Sequence, residues 1–253
     1  GGLTGVCCAI TAARAGTDVA LIQDRPVLGG NASSEVRLWA LGATSHMGNN
    51  NRWSREGGVI DEILVENTFR NREGNPVLFD MVLIDKVLSE PNITLYLNTC
   101  VYDAEISDHT VRSVTAFNPQ TGTYHTIEGD LFADCSGDGA LAYMAGAEYR
   151  MGAEDREEDG GKFAPGELLG HSILFYIKDT GCPVRFEAPE FALKEVEELI
   201  PRLRNPEYFN TSQHGCKYWW LEYGGRLDTI RDTEKIKFEL WKIVYGVWNH
   251  IKN

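Results

Sequence analysis

The chain has 253 residues, 43% of them hydrophobic and 24% charged, the balance of a folded protein with one large or two ordinary domains, which excludes disorder and fibres. Its 24 Lys and Arg against 37 Asp and Glu give a formal net charge of −13, so no broad phosphate-neutralising surface for nucleic acid and no attraction to acidic membranes is expected. No apolar stretch approaches the roughly 18 residues of a spanning helix. The six cysteines, Cys7, Cys8, Cys100, Cys135, Cys182 and Cys216, form no CxxC pair and are expected to be reduced and buried, which suggests a cytoplasmic home unless an export signal precedes Gly1. His214 and Cys216 are the one metal-like pairing; two ligands without partners make no zinc site, and no metal is expected.

The chain opens on Gly1-Gly2-Leu3-Thr4-Gly5 and runs at once into a helix-like segment ending at Gly16. A strand normally feeds such a glycine turn, and residues 247–253 stop on what reads as the last turn of an amphipathic helix. Both ends therefore look cut, and the chain reads as a fragment. Val19-Ala20-Leu21-Ile22 has the continuous apolar character of a buried parallel strand, completing the start of a β-α-β unit. Leu28-Gly29-Gly30-Asn31 is a second glycine-led turn, followed by a polar, irregular stretch from Trp39 to Trp53.

Helices are expected over 58–70 and 80–90, and a strand at 93–97. An antiparallel meander is expected between Val101 and Glu128, punctuated by Ser107-Asp108 and 118–122. Leu131 to Cys135 should return as a buried strand ending on Ser136-Gly137-Asp138-Gly139, with a helix from Ala140 to Ala145. An acid-rich linker near 154–161 separates a first domain, residues 1–150, from a second, 151–253. In the latter, 173–177 reads as a strand and 189–204 as a helix with Phe191, Val196, Leu199, Ile200 and Leu203 on one face. Four of the six tryptophans lie in the last 35 residues.

The chemistry rests on spacing. Gly2-Leu3-Thr4-Gly5 is the surviving part of a G-x-G-x-x-G, and a polar side chain, Gln23, stands 18 residues after Gly5 with Asp24 beside it. In a dinucleotide-binding unit the glycines admit a pyrophosphate to the helix N-terminus, and the polar group at the end of the second strand meets the ribose hydroxyls. The turn at Gly29-Gly30-Asn31 and the meander ahead of Asp134-Cys135-Ser136-Gly137-Asp138 distinguish a flavin site from a nicotinamide one.

With these motifs the chain resembles the FAD-dependent oxidoreductases of glutathione-reductase-like type, and more narrowly the large bacterial FAD-dependent oxidoreductase family. The likeness extends over essentially the whole chain, strongest at 2–16, 28–37 and 134–146. It implies an α/β fold: a Rossmann-like FAD-binding domain with an inserted antiparallel meander, plus part of an α+β substrate domain. It further implies that Gly2, Leu3, Thr4 and Gly5 meet the FAD pyrophosphate, and Gln23 or Asp24 the adenosine ribose. Gly29, Gly30 and Asn31 would run along the cofactor, Val101 with Cys100 would offer backbone groups to the adenine, and Ser136, Gly137 and Asp138 would return the chain to it.

A flavin performs the electron chemistry itself, leaving the protein to position a small-molecule substrate and move protons. Histidine suits that task near neutral pH, and His46, His171 and His214 are the candidates, since His109 and His125 fall in the meander and His250 at the end. Arg37 and Arg52 could meet an anionic group, and Tyr218, Trp219 and Trp220 could line a sugar- or ring-stacking wall, although core packing is the commoner role. The expected reaction is hydride transfer between a small organic substrate, sugar-like compounds among them, and FAD. The alternatives are a nicotinamide-dependent dehydrogenase and a non-catalytic glycan-binding protein on a vestigial nucleotide fold. Oligomeric state is not legible.

Overall fold

The computed structural model describes residues 1–40, 54–154, 164–175, 180–204 and 220–253, the side chains of Arg202 and Trp220 excepted. The chain divides into two compact units, Gly1–Tyr149 and Arg150–Asn253.

The first unit begins with α1 (Leu3–Arg14), in which Gly5, Val6, Ala9, Ile10 and Ala13 recur at helical spacing and are buried. Gly16 stops it in the left-handed region at φ 91°. The Gly16 N–H donates to the Ala13 carbonyl at 2.9 Å and the Thr17 N–H to Ala12 at 3.1 Å, a Schellman closure that only glycine enters without strain. β1 (Val19–Ile22) follows and pairs in parallel with β2 (Ile93–Tyr96), Val19 opposite Ile93 and Ile22 opposite Tyr96. Parallel neighbours need a long crossover, and it contains α2 (Val59–Arg70) and α3 (Pro76–Leu88). Asn75 caps α3, its side-chain oxygen accepting from the Val77 N–H at 3.0 Å, and Pro76 takes the first helical position where its missing N–H costs nothing. Val6, Ile10, Leu28, Ile63, Val82, Leu83 and Val87 join these elements in one apolar core.

The meander is β3 (Cys100–Ser107), β4 (Thr110–Asn118) and β5 (Thr123–Glu128), antiparallel in that order. Asp108 and His109, at φ 51° and 58°, form the two-residue turn between β3 and β4, both in the left-handed conformation that matches strand twist. Asn118 organises the next turn by accepting from the N–H groups of Gln120 and Thr121, at 3.0 and 3.2 Å. Val114 and Ala116 are buried. α4 (Ala140–Met144) closes the unit.

In the second unit, β6 (His171–Leu174) pairs antiparallel with β7 (Trp220–Tyr223). The short α5 (Val196–Leu199), a 3₁₀ turn at Pro201–Arg204 and the long α6 (Thr233–Lys252) supply the rest. Val196, Leu203, Leu221 and Val247 form its core. Gly246 is required there, because a Cβ on it would stand 2.5 Å from the Leu193 carbonyl oxygen.

Four expectations are corrected. Residues 131–135 are not a buried strand: Leu131 is 93% exposed, and no neighbouring strand among the described residues meets their N–H and C=O groups. The 189–204 helix is only one turn, Val196–Leu199. Pro201 has no N–H to continue it and holds Ile200 at φ −128° and ψ 75°, so the proposed apolar face breaks and Leu199 is left 64% exposed. None of the described cysteines is buried: Cys8, Cys100 and Cys182 are exposed, Cys7 and Cys135 half-buried, because the faces of α1 and β3 that pack inward are filled by other residues. The expected strand at 173–177 is displaced to His171–Leu174, and 176–177 lie outside the described residues.

Candidate dinucleotide site

The sequence brings two glycine turns together. The Gly1 nitrogen donates to the Ile22 carbonyl at 3.1 Å, and the Gly29 N–H donates to the Gly1 carbonyl at 2.9 Å, so Gly2 and Gly29 lie side by side as a short parallel bridge. A Cβ on Gly30 would stand 3.3 Å from the Gly2 Cα, and one on Gly29 would strike Leu83 at 2.8 Å. Gly29 also holds φ 107°, so this turn accepts no other residue without strain. Gly2 is the N-cap of α1; no side chain caps that end and the first turn holds no acidic residue. The partial positive end of α1, with the N–H groups of Leu3, Thr4 and Gly5, therefore opens beside a wall without side chains.

Cys135 reaches this corner, since a Cβ on Gly5 would lie 3.2 Å from the Cys135 Cβ. Burial, with the nearby Cys8, pushes the Cys135 thiol above its ordinary value. The turn that follows is organised by Asp134, which the sequence marks only as the first residue of the 134–138 motif. Asp134 accepts from the Ser136 hydroxyl at 2.7 Å, the Ser136 N–H at 2.9 Å and the Ala142 N–H at 2.9 Å. Burial acts upward on this carboxyl, but these bonds outweigh it and hold it below its usual range. Gly137 and Gly139 take left-handed conformations in the same turn, and Asp138 is exposed. The D-x-S spacing was the available signal.

Gln23 and Asp24 part company at the end of β1. Gln23 is 7% exposed and its amide donates to the Val27 carbonyl at 3.2 Å, tying down the β1 exit, while Asp24 is exposed. Asn31 is exposed in the turn after Gly30. Val101 pairs with Ala116, and a bulge separates it from Asp103, which turns Tyr102 outward.

Of the candidate acid–base residues, His171 lies in β6 of the second unit, its Nε2 donating to the Thr229 carbonyl at 2.8 Å. His46, His214 and Arg52, like Tyr218 and Trp219, fall outside the described residues, as does Cys216. No cluster of three or more metal-ligating side chains occurs among the described residues. No helix among them is long and apolar enough to cross a membrane.

Mixed helix and sheet is compatible with an α/β FAD-binding fold, and the amides of the uncapped helix start suit a phosphate. The family model described as FAD dependent oxidoreductase matches residues 1–253, and the chain belongs to that family. It is an oxidoreductase, and its cofactor is FAD. No curated protein matches the chain.

Proposed function

We propose that the protein transfers a hydride between a small organic substrate, with sugar-like compounds the first class to try, and FAD held non-covalently by the Rossmann-like first unit. The observation that carries this reading is the uncapped α1 N-terminus, faced by Gly29 and Gly30 without an intervening side chain. The N–H groups of Leu3, Thr4 and Gly5 bind the pyrophosphate, with Gly2 allowing its close approach. Asp24 meets the adenosine ribose. Gln23 is already committed to Val27 and instead shapes the turn that presents Asp24. Asn31 runs along the cofactor, the backbone at Val101 faces the adenine, and the Asp134-ordered turn brings Ser136, Gly137 and Asp138 to it. Bound there, FAD supplies the electron chemistry as acceptor or donor of a hydride equivalent.

The second unit takes the substrate. His171, with Nε2 fixed on the Thr229 carbonyl, has Nδ1 as the nitrogen able to exchange a proton; His46 and His214 are the other acid–base candidates. The test is the visible spectrum of the purified protein before and after a reductant. A yellow protein that bleaches on reduction supports the reading and opens a substrate screen. A colourless protein that takes up no added FAD overturns it.

A further inference from the structure

Residues 29–38 follow β1 and form one wall of the cradle, yet beyond one 3₁₀ turn at Gly30–Ala32 they belong to no helix or strand. The loop closes on itself: the Arg37 N–H donates to the Ser33 carbonyl at 2.7 Å and the Leu38 N–H to Asn31 at 2.8 Å. Arg37 is held at φ 66°, a conformation that a residue with a side chain keeps only where its surroundings over-determine it.

Two charged groups outside the loop provide that determination. The Asp80 carboxylate, half-buried on α3, accepts from the Ser34 N–H at 2.9 Å. The Arg25 guanidinium, directly after Asp24, donates to both oxygens of Glu35 at 2.6 and 2.9 Å. That pairing holds the Glu35 carboxyl below the usual range. Neither contact adds to the apolar core. Asp80 does stand one turn from Leu83, which packs beneath Gly29, so the same helix supports the glycine turn from below and grips the loop from the side.

We propose that Asp80 and the Arg25–Glu35 pair are positioning residues for FAD: they fix loop 29–38 in its binding conformation before the cofactor arrives. The inference rests on the reading that FAD lies along this loop. Its physical basis is preorganisation, since a loop ordered in advance does not lose its conformational freedom when the ligand binds.

The test is FAD titration of the apoprotein by flavin fluorescence, together with amide hydrogen exchange of peptides covering 29–38 without FAD. Asp80→Ala should raise the FAD Kd about ten-fold, the scale of losing a charge-assisted hydrogen bond. Its Tm should stay near wild type, and exchange across 29–38 should speed up. Asp80→Asn keeps an acceptor oxygen and should restore most of the affinity. Glu35→Ala should raise Kd roughly two- to five-fold, an effect that fades at high salt because the pair is largely exposed. The double exchange Arg25→Glu with Glu35→Arg should recover part of that loss. If wild type binds FAD while Asp80→Ala and Glu35→Ala match it in both Kd and exchange, the inference is overturned and the FAD reading stands. If wild type binds no FAD, the reading itself fails and takes the inference with it. Should Asp80→Ala unfold the apoprotein, Glu35→Ala and the charge exchange decide by the same criteria.

Discussion

A Cβ placed on Gly5 would stand 3.2 Å from the Cβ of Cys135, so helix α1 and the segment leading into the Ser136 turn meet across a gap that only hydrogen fits comfortably. Gly5 is buried in the first turns of α1, where alanine would gain about 1 kcal/mol over glycine in helix propensity. The tight contact opposes that gain, so Gly5→Ala should leave Tm within a few degrees of wild type. Gly5→Leu has no such balance. Overpacking should cost about 1–3 kcal/mol and push the Cys135 segment away, with FAD affinity falling in parallel. Thermal denaturation and FAD titration of both variants check this, and a Gly5→Leu protein indistinguishable from wild type would mean that the corner is looser than described.

The division of labour between Gln23 and Asp24 makes a paired prediction. Gln23→Leu leaves the carbonyl of half-buried Val27 without this partner, at about 1 kcal/mol of stability. Asp24→Asn should leave Tm unchanged and raise the FAD Kd several-fold, by weakening a charge-assisted bond to ribose. The opposite outcome, affinity lost at Gln23 with stability intact, would return ribose recognition to the amide.

Asp134 should give the turn before α4 a pH-dependent stability. Its folded carboxyl lies below the ordinary value of 3.8, so its contribution is fully present above that value and is lost as the pH falls below it. Removing its acceptors with Asp134→Ala should cost about 1–2 kcal/mol at pH 7. The wild-type advantage should shrink on acidification below about pH 4, as the carboxyl protonates. Parallel Tm-versus-pH curves for the two proteins would contradict the assignment.

Leu83 is fully buried and packs beneath Gly29. Leu83→Ala should cost about 2–5 kcal/mol by combining lost transfer energy with a cavity. Because the cavity opens behind loop 29–38, where FAD is proposed to lie, FAD protection should weaken as well. Urea unfolding with and without FAD measures both effects: the midpoint should fall while the slope stays constant. A shift in midpoint below the size of an ordinary surface substitution would show that the first unit relaxes around the loss.

Local chemistry made much of the scaffold legible. Small residues at helical spacing and a stopping glycine define α1 and an apolar quartet defines β1, whereas the helix expected over 80–90 runs instead over Pro76–Leu88. The Ser107-Asp108 and Asn118–Gly122 signals mark the breaks between the three strands of the meander, the first turn falling one residue later at Asp108-His109. Each of these signals acts within a few residues, where backbone conformation and burial periodicity dominate, and so does the glycine spacing that points to a phosphate. The family match over the whole chain agrees with the flavin motifs.

Long-range relationships were not legible in that way. Residues 131–135 have the composition of a buried strand, but a strand exists only where another backbone meets its hydrogen-bonding groups, and composition does not record the partner. The 189–204 segment has apolar residues at helical spacing, yet its α-helix spans only Val196–Leu199, and Pro201 stops it there. Gln23 and Asp24 look interchangeable as neighbours in the chain; the turn toward Val27 decides which one is exposed. Asp80 carries no signal at all, being one acid in an ordinary helix until folding sets it against the Ser34 N–H, 46 positions earlier in the chain. The sequence by itself determined the two glycine turns and the helix α1 that follows the first of them. Tertiary structure alone decided which polar side chains are committed to the fold and which stay exposed for a ligand, because that depends on which distant backbone groups reach them first.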